Sequence, residues 1–496
     1  MNTQIVSDDM LVGADVLEIV GMAMYADPMV IYRELIQNSA DGIDRAIREG
    51  MIPAPDGSVK VTFERATRTV VVRDNGYGLP NNEFSDQMLA IGASSKRAES
   101  YRGFRGIGRL AGLGHCRNLV FRSRSKGDDN VFEAKWDSAK VRELILEDKV
   151  VPLQDVAARA VELRRTKPEN EPEHFFEVRL EGVRRLPDDR LFEQTKISRY
   201  LSQVAPVCFS PTFQFAKHID EHLKRRASLL QISVTVGGLE VFKPYEDTVE
   251  VRKGHFARIA EIEVVEVPSG DNLAAFGWIA HTQYLGAFNN SYGGRGLRVR
   301  SGNLQIGDES LLASAFPEER FNLWSIGEFH IFDPRLRPNA RRDAFEPSVA
   351  VDDLFNQIAP YGNAIAKRCR MESKNRRGLR QIDHIERLAS DVERVLHRNG
   401  TPLADAIRQF IAEQLQEELE AAKERTNELD MQNFAAVKQH VQKLGSTRRK
   451  SRQVSSRDLG RLDFIKWLHE SGHISLIPAA ITAACRRKAR KIRTSR

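Results

Sequence analysis

A helical segment placed ahead of a series of short β runs, over residues 14–185, is the feature that most restricts how this chain can fold. The helical stretch spans about 14–49, with a break near Asp27-Pro28, where proline can open a new helix at its first turn. Runs rich in Val, Thr and Phe follow at 59–63 and 69–73, separated by a polar turn. Further strand-like runs lie at 120–124, 131–136 and 175–180, with a charged helical insertion between the last two. Helices before and between β-hairpins favour an α+β sandwich over an alternating, doubly wound sheet.

Three clusters in this region carry chemistry. Glu34, Asn38 and Asp41 are spaced by four and three, so they share one side of a helix whose Leu35, Ile36 and Ile43 form the buried side. An acid and an amide one turn apart suit a Mg²⁺–phosphate site, the amide oxygen as a ligand and the carboxylate as a base. Polar helix faces are more often merely solvated, so this cluster alone decides nothing. The second strand run ends in Asp74-Asn75-Gly76-Tyr77-Gly78. Asp-Asn-Gly is an ordinary turn, but glycines at alternate positions let backbone approach a ligand, and Asp74 can accept from an exocyclic amine. Third, Gly103, Gly106 and Gly108 can turn backbone N–H groups toward phosphate, and Ser94, Ser95 and Lys96 add hydroxyls and a charge just upstream. Gly106–Ala111 also fits a dinucleotide fingerprint, but no apolar strand precedes it, and no P-loop motif occurs.

Taken in order, Glu-x-x-x-Asn-x-x-Asp, Asp-x-Gly-x-Gly and Gly-x-x-Gly-x-Gly resemble the GHKL ATPase superfamily. That group includes Hsp90, the MutL-type mismatch-repair ATPases, the MORC ATPases, type II topoisomerase ATPase subunits and sensor histidine kinases. The resemblance implies ATP and Mg²⁺ as ligands. Glu34 would be the water-activating base and Asn38 the metal ligand. Asp74 would read the adenine amine, with Gly76 and Gly78 lining the base pocket. The stretch 92–114 would be a lid, Gly103, Gly106 and Gly108 wrapping the phosphates. One departure stands out: Hsp90 and MutL-like proteins place a Gly-Thr before a late strand, where this chain has Glu173-His174-Phe175.

A second mixed region spans about 197–369, with strand-like runs at 230–236, 273–281, 296–300 and 326–332. Its segment Asn339-Ala340-Arg341-Arg342-Asp343 resembles the Hsp90 middle-domain Asn-x-Ser-Arg-Glu, whose arginine reaches the γ-phosphate; Arg342 is the match and Arg341 the alternative if the register slips. From Gln381 the chain turns helical and charged. Thr401-Pro402 starts a helix whose Leu403, Ile407, Phe410, Ile411, Leu415, Leu419 and Ala422 make one stripe, resumed by Val437, Val441 and Leu444. The stripe suits either packing on its own domain or a dimerising coiled coil. The expected fold class is therefore α+β: an N-terminal GHKL α/β sandwich ATPase domain (1–190) and a second α+β, S5-like or Hsp90 middle-like domain (197–372). A helical segment (381–445) and a basic C-terminal tail (446–496) complete it.

Composition sharpens the functional classes. The net charge is +7, yet residues 446–496 hold fourteen Lys or Arg against three acids, so the remainder is slightly acidic and no general polyanion binder. No stretch approaches the roughly 20 apolar residues of a membrane span, and an acidic N-terminus without an apolar core points to a cytoplasmic protein. Four cysteines lie far apart, without disulfide or metal spacing. His469-Glu470-Ser471-Gly472-His473 fits H-E-x-x-H, but Gly472 should stop the helix that a zinc site needs. With only 33 residues before Glu34, a histidine kinase's phospho-accepting helices have no place. Two readings stay open: a homodimeric Hsp90-like chaperone ATPase acting on protein clients, which takes precedence, and a DNA-associated MutL- or MORC-like clamp using the basic tail.

Overall fold

A computed structural model describes residues 27–89, 108–147, 151–226, 229–270, 272–397, 402–446 and 456–482. The chain divides into two compact units, 1–366 and 367–496. In the first unit, helix α1 (Val30–Arg48) is followed by the hairpin β1 (Ser58–Glu64) and β2 (Thr69–Asp74), then helix α2 (Asn81–Leu89). Strands β3 (Asn118–Arg124) and β4 (Val131–Asp137), helices α3 (Ser138–Ile145) and α4 (Leu153–Ala160), and strands β5 (Val161–Thr166) and β6 (Phe175–Glu181) come next. Helices α5 (Gln194–Val204) and α6 (Ala216–Lys224) lead to strands β7 (Ser233–Val236) and β8 (Leu239–Val241).

These eight strands form one sheet in the order β5-β4-β3-β6-β2-β1-β7-β8. Period-two patterning decides which side is covered. Val59 and Val61 of β1, Val70 and Val72 of β2, Leu119 and Phe121 of β3 and Val178 and Leu180 of β6 turn inward, onto Ile31, Leu35, Ile36 and Ile43 of α1. Helix α3 starts where Asp137 accepts from the amides of Ala139 and Lys140. The opposite side of the sheet carries a ladder of charge. Glu177 of β6 lies opposite Arg73 on β2 and Arg122 on β3, bonds to both, and also pairs with Arg179 at 2.6 Å. Burial pushes the Glu177 carboxyl up, but Arg73, Arg179 and Arg122 outweigh it and hold the group below its ordinary range.

Two outcomes differ from the sequence reading. Part of the charged insertion expected to be helical is β5, an edge strand on β4 with almost every residue exposed. Its Val-Glu-Leu-Arg-Arg-Thr pattern hides the strand because a charged edge blocks further pairing and needs no apolar face. The sheet also does not stop near residue 190. Strand β7, drawn from beyond residue 197, pairs in parallel with β1, Ser58 opposite Ser233 through Val61 opposite Val236.

The rest of the first unit holds the β9 (Thr248–Arg252) and β10 (His255–Arg258) hairpin and a second sheet. That sheet contains β11 (Glu261–Ser269), β12 (Asn272–His281), β13 (Gly296–Ser301), β14 (Leu304–Ile306) and β15 (Ile326–Ile331), ordered β11-β12-β15-β13-β14. A buried carboxylate, Glu328 on β15, accepts from Lys243 at 2.7 Å, from Tyr245 at 3.0 Å and from Arg300. Arg300 also donates to the Gln203 and Ala205 carbonyls at the end of α5 (2.7 and 3.2 Å). Charges taken out of water need this degree of pairing.

Helix α7 (Val349–His397) carries the chain into the second unit, starting well before the expected residue 381. There α8 (Pro402–Lys423), α9 (Phe434–Ser446) and α10 (Ser456–Glu470) follow. Ile407, Ile411, Leu415, Leu419 and Ala422 of α8 are buried with Ile385, Val392, Val437, Val441 and Leu444, so the chain itself covers the stripe. The segment expected as a tail contributes to the same core through Ile465, Leu468, Ile477 and Ile481. Helix α10 ends at Glu470 and Gly472 takes a left-handed φ of 78°, while His469 binds Glu418 at 2.8 Å. Among the described residues no helix is long and apolar enough to cross a membrane.

Candidate active site

Helix α1 is buried on nearly all sides, including the face that carries its polar residues. Glu34, Ser39 and Asp41 are buried there and Asn38 is half-buried, so this polar face is enclosed by protein, unlike a solvated helix face. What closes over Glu34 is the single-turn helix Gly108–Gly112. A side chain on Gly108 would overlap the Glu34 carboxylate oxygen Oε2, so only glycine permits this approach. Arg109, next in the chain, is half-buried, and loss of solvent around it pushes its guanidinium down to about 10.

The loop between β15 and α7 comes to the same carboxylate. Arg33 Nη2 lies 3.5 Å from Glu34 Oε1 and donates to the Arg341 carbonyl at 2.6 Å, joining α1 to that loop. The neighbouring Arg342 is buried and near enough to act on Glu34 electrostatically. Arg342 takes a left-handed φ of 54°, uncommon outside glycine; its N–H donates to the Asn339 carbonyl (3.1 Å) and its carbonyl accepts from Gly307 N–H (2.8 Å). Arg341 instead faces solvent and pairs with Asp343 at 3.0 Å. Burial raises the Glu34 carboxyl above its ordinary range, and Arg33 and Arg342 only partly oppose it. A carboxylate raised in this way is a stronger proton acceptor than a surface glutamate.

Asp74 ends β2 as a buried carboxylate, 3% exposed. Its oxygens accept from the Ser39 hydroxyl and from the amides of Gly76 (Oδ1, 2.9 Å) and Phe176. Burial outweighs these bonds and pushes its pKa up to about 7. The turn after it docks on the middle of α1. Tyr77 N–H donates to the Gly42 carbonyl at 2.9 Å, and a Cβ on Gly76 would lie 2.7 Å from Gly42 C and 2.8 Å from Ile43 N. Gly78 has φ 69°, and a side chain there would overlap the Arg124 carbonyl. We expect Gly78→Ala to lower the melting temperature in a thermal-denaturation scan by several degrees. The left-handed backbone alone costs about 1–2 kcal/mol, before the clash is counted.

The described residues thus bring together Glu34, Gly108 and Arg342 around one carboxylate, and Asp74, Gly76 and Gly78 around another, with Asn38 and Asp41 on the helix shared by both. Ser94, Ser95, Lys96, Gly103 and Gly106 lie outside the described residues. Sequence reasoning missed Arg33, Ser39, Gly42 and His174. His174, standing where the Gly-Thr was expected, bonds through Nδ1 to the Gly76 carbonyl at 2.8 Å. No spacing rule singles out these four; Ser39, Gly42 and His174 matter through the turn they hold, and Arg33 through its bond to the Arg341 carbonyl. The donor set fits a nucleotide with Mg²⁺. Asn38 and Glu34 offer hard oxygen atoms, and the Gly42–Gly76 cradle leaves backbone bare beside a buried acceptor.

Residues 29–162 match the family described as histidine kinase-, DNA gyrase B- and HSP90-like ATPase. Among curated proteins the chain is similar to the chaperone protein HtpG of Alkalilimnicola ehrlichii, 23% identical over 187 residues, or 34% of this chain and 28% of that protein. Similarity to HtpG of Coxiella burnetii is 25% over 185 residues, with the same two shares. Similarity to HtpG of a Methylobacterium species is 31% over 96 residues, 18% of this chain and 16% of the relative. The aligned part therefore spans little more than a quarter of the first two relatives.

Proposed function

We propose that this chain, whose residues 29–162 are an ATPase domain of the histidine kinase-, DNA gyrase B- and Hsp90-like superfamily, binds ATP with Mg²⁺ and hydrolyses it to drive a conformational change. One observation carries the reading: Arg342, from outside the matched domain, is buried and close enough to act electrostatically on the Glu34 carboxylate. A base and a guanidinium within electrostatic reach of each other suit transfer of a terminal phosphoryl group to water.

In this mechanism Asp74 accepts a hydrogen bond from the adenine amine, with Gly76 and Gly78 lining the pocket. Asn38 supplies an oxygen to Mg²⁺, and Asp41 lies one helical turn further on. Bound Mg²⁺ neutralises phosphate charge. Glu34 takes a proton from water as the water oxygen bonds to the terminal phosphorus and the bond to the ADP oxygen breaks. Arg342 offsets the charge that develops on the transferring group. Gly108 itself lies against Glu34, and in this mechanism Ser94, Ser95, Lys96, Gly103 and Gly106 supply further phosphate donors. Removing one such cationic donor costs transition-state stabilisation more than ground-state binding. Arg342→Ala should therefore lower kcat about 10²-fold in a phosphate-release assay and leave the ATP Kd within a few-fold. An unchanged kcat would take Arg342 out of the mechanism.

The HtpG relatives favour a chaperone-like use of the cycle, a cytoplasmic homodimer closing on protein clients. The concentration of Lys and Arg after Ser446 favours a second reading, an ATPase associated with DNA.

A further inference from the structure

Helix α7 carries a concentration of charge where the second unit begins. Between Lys367 and Arg380 stand seven Lys or Arg and a single acid, Glu372. Lys367, Arg370, Lys374, Arg377 and Arg380 follow at spacings of three, four, three and three, and all five are exposed. Such spacing sets them in a row along the helix, over about 20 Å at a rise of about 1.5 Å per residue. Glu372 is half-buried and two residues from both Arg370 and Lys374, so it points away from the row. The side chains of Lys367, Lys374 and Arg377 have no ion-pair or hydrogen-bond partner among the described residues. Arg380 Nε donates to a backbone carbonyl, that of Arg376, at 3.2 Å. Like charges three and four residues apart repel, and a solvated helix face ordinarily mixes them with acids.

The helix that bears this row is fixed by its own unit. Asn375 Oδ1 accepts from the Asn427 amide at 2.9 Å, and a side chain on Gly378 would overlap the Thr426 hydroxyl. The same contact brings in Arg425, whose Nη1 donates to Gln381 Oε1 at 2.7 Å, next to the end of the row. The backbone under the cations is therefore already ordered, which lowers the cost of binding.

Charge complementarity selects the partner. A second copy would bring the same cations against themselves. Met371 is the one large apolar side chain exposed in this stretch, so the helix has no apolar face to bed into lipid. The row holds no aromatic ring on which separated bases would stack. A straight line of cations without rings fits the double-stranded polynucleotide backbone, which presents one negative charge per about 1.7 Å of its axis. Guanidinium groups suit phosphate oxygens in particular, since their planar forks donate two bonds at once.

We propose that the second unit binds the phosphate backbone of duplex DNA along helix α7, through Lys367, Arg370, Lys374, Arg377 and Arg380. The site reads charge and carries no base specificity. It rests on neither reading of the ATPase cycle, and its test uses no ATP, so its failure leaves the hydrolytic mechanism where it stands.

The full chain is titrated into a fluorescein-labelled duplex of about 20 base pairs, and anisotropy is read from low to moderate salt. Each phosphate contact adds about 0.9 to the slope of log affinity against log salt. The fourfold variant Lys367→Gln, Arg370→Gln, Lys374→Gln and Arg377→Gln should flatten the slope by about three to four and bind at least about tenfold more weakly. All four side chains are exposed, and a thermal scan confirms that the variant keeps its fold. Should it melt early, the pair Lys374→Gln with Arg377→Gln gives half the change, a slope flatter by about two. A control variant removes as much charge from exposed positions of the first unit, Lys217→Gln, Lys224→Gln, Arg252→Gln and Lys253→Gln, and should keep the wild-type slope. An unchanged slope in the α7 variants, or equal flattening in the control, would overturn the site and leave binding to other cations or to net charge. Oligothymidylate bound as tightly as duplex would overturn the choice of the double strand. Polyglutamate binding lost in the fourfold variant, with duplex binding intact, would reassign the row to an acidic protein segment.

Discussion

Replacing Glu34 with alanine should lower ATP turnover by 10²–10⁴-fold, the range general-base catalysis spans, and leave the ATP Kd within a few-fold. The two effects separate in the proposed mechanism, where the carboxylate acts on water and recognition of the base falls to Asp74, at the end of β2. Burial dominates the Glu34 environment and raises its pKa against the opposing influence of Arg33 and Arg342. A base must be deprotonated to work, so kcat should fall as pH drops through that raised value, at a higher pH than an ordinary glutamate would give. Steady-state phosphate release across pH, beside calorimetric ATP binding by Glu34→Ala, checks both parts. Turnover by the variant at the wild-type rate would show that another group activates water.

Asp74→Asn should abolish measurable ATP binding and at the same time make the protein more stable above neutral pH. At pH 8, where Asp74 is ionised, loss of binding follows from exchanging a charged acceptor for an amide that presents a donor and a weaker acceptor to the amine. The gain in stability follows from linkage. The folded protein holds the Asp74 proton up to about pH 7, whereas an unperturbed aspartate gives it up near 3.8. Between those values the folded state binds the extra proton, so stability falls as pH rises across the window, and above it the full cost of burying the charge remains. The difference corresponds to roughly 4 kcal/mol, which asparagine, always neutral, does not incur. Thermal scans should place the variant above the wild type at pH 8 and close to it at pH 4. A variant less stable than the wild type at pH 8 would show that Asp74 is ionised without penalty.

Both substitutions rest on residues that the sequence already exposed, for a physical reason. Glu34, Asn38 and Asp41 sit on one continuous helix, and Asp74, Gly76 and Gly78 on one turn, so short-range spacing fixes their mutual placement. The strands before and after them were legible because their inward residues alternate. Contacts that depend on distant segments were not. Nothing local in Arg33 says that it will donate to Arg341, 308 positions later. The choice between Arg341 and Arg342 needed the left-handed backbone at Arg342, which turns adjacent side chains to different surroundings. His174 was visible only as a missing threonine. The edge strand β5 and the folded helix α10 were hidden by their charges, since composition weighs a Lys or Arg the same on a packed helix as on a loose one.

The parallel pairing of β7 with β1 has a consequence for how such a gene can be cut and recombined. A fragment ending at residue 190 would contain every part of the sheet through β6 yet leave the backbone of β1 as a bare rim along 58–61, with Val59 and Val61 beside it. A fragment that keeps the whole eight-stranded sheet therefore has to run through Val241, the end of β8. Exchange of middle regions between relatives would have to carry β7 and β8 with the first module. In heredity as in folding, the unit is set by strand pairing, and a count of residues along the chain does not reveal it.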